Sequence, residues 1–111
     1  MSARAASLDR TLAALADPIG RRAVDLLGER PHSAGELAQK LGLPAPAMSR
    51  RLAALRRSGL VEDHHPEFDA RVRIYSLKAA PMRELKAWLE ASERLWSAQL
   101  SAFKARVEEG S

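Results

Sequence analysis

Apolar residues recur along this chain at helical spacing in five separate stretches. One short run of alternation lies between the fourth stretch and the fifth. Leu8, Leu12 and Leu15 stand at i, i+4 and i+7, one face of a first helix. That helix is expected to stop near Asp17-Pro18, where Asp17 suits an N-cap and Pro18 the first position of a second helix, because proline lacks the donor that this position leaves unused. Ile19, Val24 and Leu27 then face inward, and Gly28 is expected to end the element. Ser33 and Glu36 have the spacing of a capping box for a third helix. Its inward positions are Leu37, Ala38 and Leu41, and Gly42 is its stop.

A fourth helix is expected over about 44–58. Pro44 and Pro46 are tolerated there only because they fall at its start, and no Ser or Thr caps it. Met48, Leu52 and Leu55 form one stripe about 40–60° wide, with Pro46, Arg50, Ala53 and Arg57 on the opposite side and Arg51 on a flank. A wing is expected over about 60–77: Leu60 and Val61 begin an extended segment, HHPEFDA is turn-like, and RVRIYSL alternates Arg71 and Arg73 with Val72 and Ile74. Together these predict a hairpin of two strands. Pro81 precedes a long helix to about 108, on which Met82, Leu85, Leu89, Trp96, Leu100, Phe103 and Val107 repeat at near-heptad spacing, widened by Trp88 and Leu95. Such a helix carries more apolar surface than one small domain covers. The surplus calls for a partner helix, most simply from a second copy of the chain.

The expected class is therefore mainly α with a small β-hairpin, in the order α-α-α-α-β-β-α. The 111 residues suit a single domain over 1–111, without repeats or an internal boundary. No apolar run approaches the ~18 residues of a membrane span, so no membrane partner is expected. The start, MSARAASLDR, has no apolar h-region, which implies no secretory signal. With no cysteine there are no disulfides, thiolate metal sites or cysteine nucleophiles, and the chain fits a reducing cytoplasm.

Charge refines the picture through its distribution. The net charge is 18 − 14 = +4. From Met82 onward, five bases (Arg83, Lys86, Arg94, Lys104, Arg106) balance five acids (Glu84, Glu90, Glu93, Glu108, Glu109). The excess thus lies earlier, much of it as Arg50, Arg51, Arg56 and Arg57 on the fourth helix, with no acid between Leu43 and Val61. A localised cationic helix points to a polyanion, although charge of this kind also occurs on merely solvated faces.

ALADP followed by RR, GELA, S-x-x-L-x-x-L-x-x-x-G-L-V and YSL occur in order, within a segment from about Leu8 to Phe103. This set resembles the ArsR/SmtB family of bacterial winged helix-turn-helix repressors. The tail RIYSLKAAPMRELKAWLEASERLW resembles its SdpR-like subgroup, which lacks the cysteine metal site. The resemblance implies a homodimer, joined through the first and last helices, that binds a double-stranded DNA operator of inverted-repeat form. The dimer residues would be Leu8, Leu12, Leu85, Leu89, Trp96, Leu100 and Phe103. The start of the fourth helix would read the major groove with Ala45, Pro46, Ala47, Ser49 and Arg50, the last gripping guanine O6 and N7. By helical phase Arg51, Arg56 and Arg57 suit phosphates or packing. Arg71 and Arg73 of the wing suit flanking backbone or minor groove, and Ser33 would present helix-terminal amides to a phosphate.

The chain departs from the family pattern in places. Pro44 and Ala45 replace a polar pair, and Arg50 and Arg51 stand where histidine or glutamine is frequent. Ser33 and Gly35 occupy the positions of the sensor cysteines, and the last helix has no histidine. No cofactor is expected. The metal-like cluster His64, His65, Glu67 and Asp69 sits on a turn, where adjacent strand histidines point to opposite faces, so a solvated hairpin tip is the plainer reading. His32 reads as a structural loop residue. A small-molecule effector, unidentified, would find its cavity between protomers near Trp88 and Trp96. No nucleophile motif and no glycine-rich loop after a strand is present, which argues against an enzyme. The rivals to a DNA reader are a metal- or ligand-responsive sensor repressor and a winged-helix protein-interaction module that no longer binds DNA.

Overall fold

The computed structural model describes residues 2–69 and 71–110. Its elements are α1 (Ala3–Ala16), α2 (Pro18–Glu29), β1 (His32–Ser33), α3 (Ala34–Leu41), α4 (Ala45–Arg57), β2 (Val61–His64), β3 (Ile74–Leu77) and α5 (Ala79–Glu109). The order is that of a winged helix-turn-helix, with one strand more than the expected hairpin. His32 and Ser33 pair antiparallel with Tyr75 and Ile74, so the sheet runs β1-β3-β2. A two-residue strand is too short to leave any periodicity in sequence.

Local chemistry accounts for most boundaries. Ser2 caps α1 by accepting from the Ala5 amide at 3.1 Å. Asp17 caps α2, its carboxylate accepting from the Ile19 and Gly20 amides at 3.3 Å each, with Pro18 in the first turn as expected. Ser33 and Glu36 form the complete capping box of α3. Both α3 and α4 end in a glycine of positive φ, Gly42 at 68° and Gly59 at 80°. Each is followed by a Schellman pairing, Leu43 N–H to Ala38 O at 2.9 Å and Leu60 N–H to Leu55 O at 3.1 Å. Gly28, expected to end α2, lies within it, and the helix runs on to a cap at Arg30. Pro81 lies inside the first turn of α5, not before it.

The core is built by Val24, Leu27, Leu37, Leu41, Met48, Leu52, Leu55, Leu60, Val61 and Tyr75. Met48 and Leu52 are fully enclosed, so the apolar stripe expected on α4 faces the core. Each such side chain contributes ~1.5–3 kcal/mol of burial, enough to fix the rotation of α4 about its axis. Two expectations shift in detail. On α1 it is Thr11 that is buried, its hydroxyl donating to Ser7 O at 3.1 Å, and Ala14 and Leu15 pack on the core. Leu12 is 39% exposed. On β3 the enclosed residue is Tyr75. Arg71, Val72 and Arg73 precede the strand, because the Asp69 carboxylate accepts from the Arg71 amide at 2.9 Å and holds a turn there.

The helix α5 spans 31 residues, and the molecule extends over 69 Å. Its first turns lie along α1, with Met82 packed against the core. Beyond them, Leu89, Leu95, Trp96, Leu100, Phe103 and Val107 are all exposed, between 48% and 67%. No helix among the described residues is long and apolar enough to cross a membrane.

Candidate nucleic-acid interface

The burial of Met48, Leu52 and Leu55 dictates what α4 presents outward. Arg50 and Arg57 project from the face opposite the core, exposed and without an ion pair among the described residues, and Ala45, Pro46 and Ser49 are exposed at the helix start near Arg50. Ala47 is half-buried. The helix start has no side-chain cap, since Pro44 occupies that position and offers none.

The two flanks of α4 behave differently from its outer face. On one, Arg51 donates to the Asp17 carboxylate at the cap of α2. Asp17 is held below the usual carboxylate range, first by that hydrogen bond and then, against some burial, by the Arg51 charge and the Ile19 and Gly20 amides. On the other flank, Arg56 donates to Asp63 Oδ1 at 3.1 Å, while Arg73 from the wing lies 3.1 Å from Asp63 Oδ2. Asp63 faces Tyr75 across the β2–β3 ladder. The Tyr75 hydroxyl is the first cause, ahead of Asp63, that raises the Arg73 guanidinium further above its ordinary range. Of the four arginines on α4, two are therefore tethered within the molecule and two are not.

Between α4 and the wing lies an open groove of about 310 Å³, lined by Ser49, Ala53, Arg56, His65, Arg71, Arg73 and Tyr75 among others. It is lined by three arginines and reaches α4 at Ser49 and Ala53. Arg71 stands at its rim with its side chain 93% exposed, 3.4 Å from Asp69. Ser33 does not offer its own amide there. That amide donates to Glu36 Oε1 at 3.2 Å, and the Ser33 hydroxyl accepts from the Glu36 amide at 3.1 Å. Glu36 is pulled down to about 2 by Arg30 first and by the Ser33 amide second.

The remaining candidates separate clearly. His65 Nδ1 is 2.9 Å from the Val72 carbonyl, so that nitrogen donates within the hairpin. Its neighbour His64 is exposed. No group of three metal-donor side chains gathers among the described residues. His32 is buried on β1, with Nδ1 2.8 Å from Arg30 O and Nε2 3.0 Å from Lys40 Nζ, a structural role. A larger groove of about 740 Å³ separates the start of α1 from α5. It is lined by Leu8 and Trp88 but not Trp96. Sequence reasoning missed Asp63 and Tyr75 altogether, and saw Asp17 only as a cap. The single signal for Asp63 was its place opposite an arginine-bearing strand.

A helix-turn-helix domain family matches residues 15–64, which span α2, α3, α4 and β2. An HTH-type transcriptional regulator of Mycobacterium tuberculosis is 31% identical over 102 residues, covering 92% of this chain and 90% of the relative. An ArsR-like transcriptional regulator from Rhodococcus superposes with a TM-score of 0.73 at 30% identity, over 89% of this chain and 91% of that one. The chain belongs to the ArsR family of winged helix-turn-helix transcriptional regulators. The biofilm growth-associated repressor of Xylella fastidiosa is 34% identical over 82 residues, covering 74% of this chain and 72% of the relative. This ArsR-family chain is thus a DNA-binding transcriptional regulator, and the family acts by binding rather than by catalysis.

Proposed function

We propose that the protein is a cytoplasmic homodimeric repressor that reads an inverted-repeat operator with two copies of α4. The observation that carries this reading is the outer face of α4, where Arg50 stands exposed near an uncapped helix start and Arg57 exposed at the far end, while the opposite face is locked in the core. Arg50 would read a guanine edge, with Pro46 and Ala47 against thymine methyls and Ser49 on an adjacent base or phosphate. Arg57 and Arg71 would take phosphates, which fix register without reading sequence. The exposed stripe of α5, with Leu8, Leu12 and Leu85 near its base, would pair two protomers and set half-sites about one helical turn apart. A small effector would enter near Trp88 at the α1–α5 groove.

Selection of binding sites from random duplexes, followed by titration at two salt concentrations, tests the reading. The expected selected site is an inverted repeat bound by a dimer. Arg50→Ala should flatten discrimination at one position per half-site by ~1–3 kcal/mol. Trp96→Glu should give a monomer in sedimentation and abolish tight binding. A wild-type chain that sediments as a monomer at micromolar concentration, or an Arg50→Ala variant with undiminished base discrimination, refutes it.

A further inference from the structure

An acid on a DNA-facing surface needs a reason, because every phosphate within about 10 Å repels it. Asp63 is such an acid. It lies on β2 beneath two arginines from different parts of the fold, Arg56 of α4 and Arg73 just before β3, each 3.1 Å from one of its two oxygens. The Asp63 side chain is 13% exposed, whereas those of Arg56 and Arg73 are 54% and 47% exposed. The carboxylate is therefore the floor and the guanidinium groups are the surface. Tyr75, buried and paired with Asp63 in the ladder, closes the arrangement from beside Arg73.

We propose that Asp63 is a specificity-determining positioning residue that clamps Arg56 and Arg73 into one fixed pair spanning the groove between the recognition helix and the wing. A free arginine follows any phosphate within its reach and rewards all sequences alike. Two arginines sharing one carboxylate present their remaining donors at set positions, and they satisfy a backbone only where its path fits. The clamp also cancels one positive charge per protomer, which weakens attachment to DNA at large. Asp63 thus lowers non-specific affinity and sharpens choice. The inference rests on the reading that α4 and the wing face DNA together.

The test compares wild type, Asp63→Asn and Arg73→Lys on a selected site and on a scrambled duplex, across a salt series. For Asp63→Asn, binding to scrambled DNA should tighten several-fold, and the slope of log K against log salt should steepen by about one per protomer as freed arginines displace further counterions. Discrimination between the two duplexes should fall about tenfold, the scale of one lost base-pair readout. Arg73→Lys keeps the charge but cannot share the carboxylate in the same way. It should lose discrimination with the salt slope unchanged, and it decides the matter if Asp63→Asn fails to fold. In an Arg56→Ala/Arg73→Ala background, Asp63→Asn should leave discrimination unaltered. Equal tightening on both duplexes would make Asp63 a bare charge and overturn the clamp, as would full discrimination in Arg73→Lys. A wild-type chain that does not distinguish the duplexes at all would instead defeat the reading on which the inference rests.

Discussion

Asp17 performs two tasks that substitution can separate. Its carboxylate caps α2 through the Ile19 and Gly20 amides, and it receives Arg51 from the flank of α4. A side-chain cap is worth ~1 kcal/mol, within ~0.5–2. The ion pair joins side chains that are 36% and 42% exposed, so water screens it, and ~0.2–1 kcal/mol is the appropriate scale. Asparagine caps as well as aspartate but carries no charge. Asp17→Asn should therefore remove the pair while its single carbonyl oxygen still serves one of the two amides as a cap, a loss of about 1 kcal/mol or less, whereas Asp17→Ala should remove both pair and cap, ~1–2.5 kcal/mol. At about 4 °C per kcal/mol for a chain of this size, the melting temperature should fall by about 1–4 °C and about 4–10 °C respectively.

Thermal melts followed by far-ultraviolet circular dichroism, at one fixed protein concentration, measure both values; the fixed concentration matters because melting of an associating chain depends on it. In an Arg51→Ala background Asp17→Asn should become neutral, while Asp17→Ala should still show the loss of the cap. The sign with pH follows from the lowered Asp17 pKa. The folded value lies below the ordinary 3.8, so the pair's contribution is complete above that value and disappears as the pH falls through the folded one. If Asp17→Asn costs as much as Asp17→Ala, or if Arg51→Ala leaves the effect of Asn intact, Arg51 is not tied to the α2 cap and its assignment away from DNA is wrong.

Two glycines in one helix should respond oppositely to alanine. Gly28→Ala meets nothing within 4 Å and should stabilise by ~0.5–1 kcal/mol, whereas at Gly20 the added Cβ would lie 2.7 Å from the Ala14 carbonyl and must push α1 from α2, so urea midpoints should move in opposite directions. Glu36, lowered from 4.5 to about 2 by Arg30 and the Ser33 amide, supports the fold in full above pH 4.5 and loses that support as the pH falls toward 2. Glu36→Gln keeps the capping acceptor without the charge, and its denaturation midpoint should vary less with pH across that window than the wild type's.

The legible and illegible parts of this fold divide by distance along the chain. The cap at Asp17, the capping box of Ser33 and Glu36, the glycine stop at 42 and the Met48–Leu52–Leu55 stripe all depend on neighbours within one or two turns, and the structure contains every one of them. The unpartnered stripe of α5 was legible too, because its excess over what a small domain can cover is a matter of counting. What sequence could not provide was any pairing across elements. The two-residue β1 exists only because β3 passes beside it, and β3 starts only at Ile74, after the turn that Asp69 closes. The arginines suffered most from this. Reading α4 as acid-free left Arg51 and Arg56 open to phosphates or packing alike, yet the partner of Arg51 lies 34 residues earlier and that of Arg56 seven residues later, both outside the helix. The helix's charge is thus sorted by its rotation. Arginines on the flanks meet the carboxylates of the elements that flank α4, and those opposite the buried stripe meet solvent. Since the apolar stripe sets the rotation, the residues left free for DNA are chosen by the core, not by the count of basic residues.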